Sequence, residues 1–134
     1  MKQGYCDNIE QQTLANDDFR RVLYSGGHLQ LVLMTLQPGD EIGEEVHESI
    51  DQFFRVEEGV GVVTIDGVEN HVEDDFAVIV PAGSRHNVMN RGSKPLRLYT
   101  IYGPPEHKDA VVQPTKEEAD RRHEAEEFDG KTTE

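Results

Sequence analysis

From His28 to Tyr102 the chain is a succession of short apolar runs, each closed by a turn signal. His28 to Leu36 stops at Pro38, Gly39 and Asp40. Gln52 to Val56 follows. Val62 to Ile65 stops at Asp66 and Gly67, a strong two-residue hairpin signal, and Val68 to Val72 stops at Glu73, Asp74 and Asp75. Phe76 to Val80 stops at Pro81 and Gly83, and Asn90 to Ser93 separates His86–Met89 from Leu96–Tyr102. No helical period intervenes. Strands recurring about every 8–12 residues predict an all-β sandwich or barrel and exclude alternating β-α units. Within the first run, Leu29, Leu31 and Leu33 alternate with Gln30, Val32 and Met34. Apolar residues on both faces predict a strand buried between two layers.

Composition divides the chain into a polar segment (1–18), the strand-rich domain (19–102) and a terminal segment (103–134). The first segment shows no sustained period. The last begins with Gly103, Pro104 and Pro105, which cannot continue a central strand. Its final twenty residues, from Thr115, hold eight acids and four bases. Thr115 and Glu118 have the spacing of a helix N-cap box, and no wide apolar stripe follows. An exposed helix that frays into a disordered end is expected.

Thirteen Lys and Arg against 27 Asp and Glu leave a formal charge of −14. Nucleic acid and anionic membranes need a cationic surface, so neither is expected as a partner. The single cysteine, Cys6, excludes an intramolecular disulfide and suits a reducing compartment. No apolar run approaches the ~18–20 residues of a membrane span, so a soluble cytoplasmic protein is expected. Val22, Leu23 and Tyr24 form a short apolar strand ahead of the main series. Sheet edges are commonly paired or covered, and this segment is expected to pair two chains as a homodimer.

Two stretches carry chemistry. Glu45 and His47 lie two apart, so in an extended chain they project to one side. Gln52 opens the next strand and can face the same interior. His86 follows a strand and the turn at Pro81 and Gly83, and joins the others if the two strands are neighbours in a barrel. Two imidazoles, one carboxylate and an amide oxygen then converge, a set suited to Zn²⁺, Fe²⁺, Mn²⁺ or Ni²⁺. Asp51 is the rival carboxylate but faces away from Gln52. The surrounding acids Asp40, Glu41, Glu44 and Glu48 lack the two-residue spacing to His47.

These stretches resemble the two motifs of the cupin superfamily. The resemblance is carried by Gly39, His47 and Gly59 in the first motif and by Pro81, Gly83, His86 and Asn90 in the second. Glu45 stands where the family has its first His, Gln52 where it has Glu, and Asp75 where the second motif opens with Gly. The resemblance implies a double-stranded β-helix, or jelly-roll barrel, often dimeric. It also implies a metal inside, held by Glu45, His47, Gln52 and His86. Glu at 45 preserves metal competence, and Gln at 52 supplies a weaker neutral oxygen.

Three functions fit this set. A Lewis-acidic ion with a carboxylate that moves protons between carbons gives an isomerase or epimerase for a small hydroxy-carbonyl or sugar-like substrate. Two His and one carboxylate on Fe²⁺ give a dioxygenase. A non-enzymatic small-molecule-binding or sensor module is the third. Asn90 is expected to support a turn and Arg85 to form a surface ion pair. Phe54, Met34, Val88 and Tyr102 fall in the interior as core or lining. His107 and His123 lie outside the strand-rich domain and are set apart from the site.

Overall fold

A computed structural model describes all 134 residues. Ten strands form two antiparallel sheets. The larger contains β1 (Arg20–Ser25), β2 (Gln30–Leu36), β4 (Asp51–Glu58), β7 (Ala77–Val80), β9 (Leu96–Gly103) and β10 (Val112–Gln113), in the order β10-β1-β2-β9-β4-β7. The smaller contains β3 (Glu45–Val46), β5 (Gly61–Ile65), β6 (Val68–Val72) and β8 (Arg85–Met89), in the order β3-β8-β5-β6. Two short helices, α1 (Ile9–Ala15) and α2 (Lys116–Arg122), complete the chain. The all-β expectation from the strand spacing is met, and the two sheets form the jelly roll that the resemblance implies.

Alternation sorts the sheet residues. Gln52, Phe54 and Val56 of β4, together with Leu96, Leu98, Thr100 and Tyr102 of β9, are buried and share one face. Their β2 partners Gln30, Val32, Met34 and Leu36 complete the rows. Against them pack Val63, Val72 and Val88 of the smaller sheet, within a core of 17 buried apolar residues. Burying a side chain of this size contributes about 1.5–3 kcal/mol, so apolar packing dominates cohesion.

Local chemistry fixes the turns. Asp66 and Gly67 both have positive φ, 47° and 82°, as a two-residue hairpin matched to strand twist requires. Gly59 has φ 105°, and a Cβ there would stand 2.7 Å from the Pro95 carbonyl oxygen. Glycine alone fits where β4 leaves β9. Asn90 is buried at the corner after β8. Its amide donates to the Leu36 and Lys94 carbonyls, and its oxygen accepts from the Gly92 N–H.

Two elements, the N-terminal segment and the charged end, differ from expectation, and the pairing of β1 lies between them. The polar N-terminal segment contains α1, capped by Asn8, whose side chain accepts from the Gln11 N–H. This helix lies on the outer face of β2, where the Thr35 hydroxyl donates to the Asn16 carbonyl just beyond its end. It supplies the second layer over β2 that buries Leu33 and Thr35. Val22 to Tyr24 lie within β1, which has in-chain neighbours on both sides. β10 pairs at Arg20 and Arg21, and the Val22 N–H donates to the Val111 carbonyl. The strand that holds the segment expected to pair two chains thus has backbone partners in its own chain on both sides. The charged end forms the expected Thr115-capped helix. Its continuation is laid on the barrel, with Lys108 bonded to Glu126, Phe128 to Glu106 and Thr133 to Ser25 through the backbone. Such contacts join segments distant in sequence and leave no local pattern. No helix is long and apolar enough to cross a membrane.

Candidate metal centre

Strand pairing builds the site. Glu45 on β3 stands directly opposite His86 on β8. His47 leaves β3 on the same side as Glu45, as two-residue spacing dictates. One donor atom from each of Glu45, His47 and His86 lies within 4.8 Å of the others. The cluster could hold a metal ion.

Two features fit that use. The His47 Nε2 lies 2.9 Å from Glu45 Oε2, yet it is buried without a hydrogen bond. Two donors converging on one ion at bonds of about 2.1 Å stand about 3 Å apart, whereas a hydrogen-bonded pair would align N–H with oxygen. The His86 Nδ1 lies 3.1 Å from the Ser84 carbonyl oxygen. A carbonyl can only accept, so Nδ1 carries the proton there, which in the neutral ring leaves the Nε2 lone pair for a metal. This is the outer-shell bond that orients a ligating imidazole.

Gln52 is buried one strand over from Tyr102, its direct partner in the β4–β9 ladder. Its amide nitrogen donates to the Thr100 hydroxyl at 3.0 Å, and its oxygen has no hydrogen-bond partner. A buried acceptor without a partner costs about 1–3 kcal/mol, so this oxygen is free for an ion or a substrate hydroxyl. Asp51 is exposed and accepts from the Ala82 N–H, away from the interior. Arg85 pairs on the surface with Glu44. Phe54, Met34, Val88 and Tyr102 are all buried in the core.

The terminal segment adds residues that spacing did not indicate. Glu106 places Oε2 3.6 Å from His47 Nδ1, at ion-pair range. The His107 Nε2 lies 3.2 Å from the Tyr102 hydroxyl, and the Tyr102 ring meets the His47 ring edge-on with centroids 6.1 Å apart. His107, set apart by the sequence reading, is therefore one side chain removed from the cluster. Gln30 makes this possible. Its amide oxygen accepts from the Glu106 and His107 N–H groups, and its nitrogen donates to the His107 carbonyl and the Ser25 hydroxyl. A strand glutamine thus ties the loop after Pro105 to the sheet. The buried, uncharged-looking Gln30 in an apolar run was the one signal.

Electrostatics follow from burial and proximity. Burial opposes ionisation of Glu45, but contact with His47 and the charges of His47, Arg20 and His86 outweigh it and hold the carboxyl below its ordinary range. Burial likewise disfavours charge on His47, yet contact with Glu45 and the charges of Glu45 and Glu106 raise its pKa. Burial pushes Glu106 up. Burial drives His107 well below an ordinary imidazole, with help from Arg20, His47 and His123. Burial also raises the Tyr102 hydroxyl. A surface hollow of about 660 Å³, lined by residues that include Glu58, Asp74, Lys94 and Arg97, lies at the other end of β4 and β9. It has none of these groups.

The Cupin domain family model matches residues 32–102. The chain is 45% identical over 118 residues to the uncharacterized protein YrkC of Bacillus subtilis, covering 84% of this chain and 63% of YrkC. It is 35% identical over 109 residues to the uncharacterized protein L612 of Acanthamoeba polyphaga mimivirus, covering 78% of this chain and 68% of that protein. Among solved structures, BH2720 from Bacillus halodurans superposes with a TM-score of 0.87 at 45% identity, covering 89% of this chain and 95% of its own.

Proposed function

Because the chain belongs to the cupin domain family, we propose that it is a metal-dependent enzyme of the isomerase or epimerase type, acting on a small hydroxy-carbonyl or sugar-like substrate. The observation that carries the reading is the convergence of Glu45, His47 and His86, with His47 Nε2 beside Glu45 Oε2 and making no hydrogen bond. Those three residues would hold a divalent ion, with the Gln52 oxygen as a weaker fourth donor. When bound, such an ion polarises a carbonyl or hydroxyl oxygen and acidifies the neighbouring C–H.

The remaining roles belong to the chain. Glu106 stands beside the cluster as a carboxylate that is not needed to hold the ion. Its position at His47 Nδ1 orients that ring and leaves one oxygen to accept and return a proton. Tyr102, buried between His47 and His107, closes the floor and excludes water. Its hydroxyl, bonded to His107, is the neutral group there.

The test is elemental analysis of protein purified without added metal, followed by solvent-deuterium exchange. In D₂O, small hydroxy-aldehydes and ketones should exchange the C–H next to their carbonyl with the loaded protein. Glu106→Gln should remove that exchange. Iron as the resident metal, with oxygen uptake and no exchange, would instead support the dioxygenase that two His and one carboxylate suit. No metal and no exchange would support a binding module.

A further inference from the structure

Arg20 is a buried charged residue to which no role has yet been given. It lies on β1 and is only 4% exposed. Its inward row runs Gln113, Arg20, Met34 and Leu98 across four strands. The guanidinium donates one hydrogen bond, from Nη1 to the neutral Gln113 amide oxygen at 2.7 Å. Its Nε is buried with no partner, and the group rests over the Phe19 ring at 5.3 Å. It takes part in none of the protein's ion pairs. A buried charge without a counter-charge is expensive, and guanidinium is built to grip a carboxylate along its edge.

Its strand lies close to the sheet edge that carries Glu45. β1 lies one strand from the β10 edge of the larger sheet, and β3, which carries Glu45, is an edge of the smaller. The two edges meet, since Lys116 after β10 donates to the Ile42 carbonyl just before β3. With a divalent ion in place, its two positive charges and that of Arg20 would face the carboxylates of Glu45 and Glu106. One positive charge is left over.

We propose that Arg20 is a carboxylate-binding residue beside the metal centre, and that the substrate is a small organic acid whose carboxylate neutralises this charge. The inference rests on the metal-dependent reading above and specifies its substrate as anionic. A monocarboxylate matches one surplus charge and the free Nε of the guanidinium, whereas a phosphate dianion overshoots it.

Acetate, with neutral acetamide as control, tests this at constant ionic strength. The Nε–H signal of Arg20 is followed by ¹⁵N NMR in metal-free protein, and Ni²⁺ binding is titrated with and without acetate. Acetate should shift the Nε–H signal saturably, and acetamide should not. Acetate should also tighten Ni²⁺ binding several-fold, since coupling between two sites is reciprocal. In Arg20→Met that coupling should vanish, while Ni²⁺ alone binds at least as tightly as to wild type because a repelling charge is gone. Arg20→Lys, which keeps the charge and loses the fork, should retain a reduced coupling. It serves as the variant of record if Arg20→Met fails to fold. A signal unmoved by acetate, or equal responses to acetate and acetamide, would overturn the proposal and leave Arg20 as a brace for Gln113. If wild type binds no Ni²⁺, the metal reading fails, and the metal-free arm still decides whether Arg20 binds carboxylate.

Discussion

Glu45 and His86 are direct cross-strand partners on β3 and β8, though 41 residues separate them in sequence. Opposed residues in an antiparallel pair stand about 4.5–5.5 Å apart at Cβ, so a two-residue strand suffices to bring carboxylate and imidazole together. His47 completes the set from the same short strand. Losing either imidazole removes a donor that nothing nearby replaces. His47→Ala and His86→Ala should each abolish stoichiometric binding of Zn²⁺ or Ni²⁺ in calorimetry. Gln52→Ala should weaken it only about tenfold, the scale of supporting interactions, and Glu45→Ala should fall between. Binding should weaken as pH falls, because protons compete with the metal for the His47 imidazole, whose pKa is raised.

Glu106 contacts His47 on the nitrogen away from the cluster. Outer-shell carboxylates of this kind typically change metal affinity about 10–100-fold. Glu106→Gln keeps the shape and removes the charge. It should weaken metal binding about tenfold while leaving far-UV circular dichroism unchanged. Unaltered affinity would show that the 3.6 Å contact does not orient the ring.

The metal-free protein should show a stability maximum near pH 6.5. His107 has a depressed pKa in the fold, so the unfolded chain takes up its proton first and stability is lost as pH falls below about 6.5. His47 has a raised pKa, so its contribution is present below about 6.5 and is lost as pH rises through its folded value. Glu45, held low, adds a further loss below about 4.5, while Glu106, held high, works against the acid limb. Urea unfolding from pH 5 to 8 reads this directly. His107→Gln should flatten the acid limb and His47→Gln the alkaline limb. The opposite assignment of limbs would contradict these environments.

Asn90 makes three hydrogen bonds from a buried corner far from the ligands. Asn90→Ala leaves two carbonyls and one N–H to find other partners. It should cost about 1–3 kcal/mol and leave metal affinity unchanged once folded. A thermal melt paired with a metal titration separates the two effects.

Most of the barrel was legible because alternation and turn residues are local signals. The hairpin at Asp66 and Gly67 and the strand Val68–Val72 are found where they were expected. Glu45, His47 and His86 were legible because two-residue spacing and the motif around Pro81 and Gly83 place them. The short strands β3 and β10 were not, since two residues carry no period. The helix α1 was missed because its few apolar residues form no stripe, although β2 already showed that something covers it. Glu106, His107 and Arg20 were missed for another reason. Gln30 and Gln113 bring them inward through contacts 76–93 residues apart in sequence.

Anomalous diffraction at the metal absorption edge, on crystals of protein purified without added metal and then soaked in Ni²⁺, tests the central claim most directly. The expected result is one strong peak about 2.0–2.3 Å from His47 Nε2, His86 Nε2 and a Glu45 carboxylate oxygen. No peak among these three side chains, or a peak held by other residues, would contradict it.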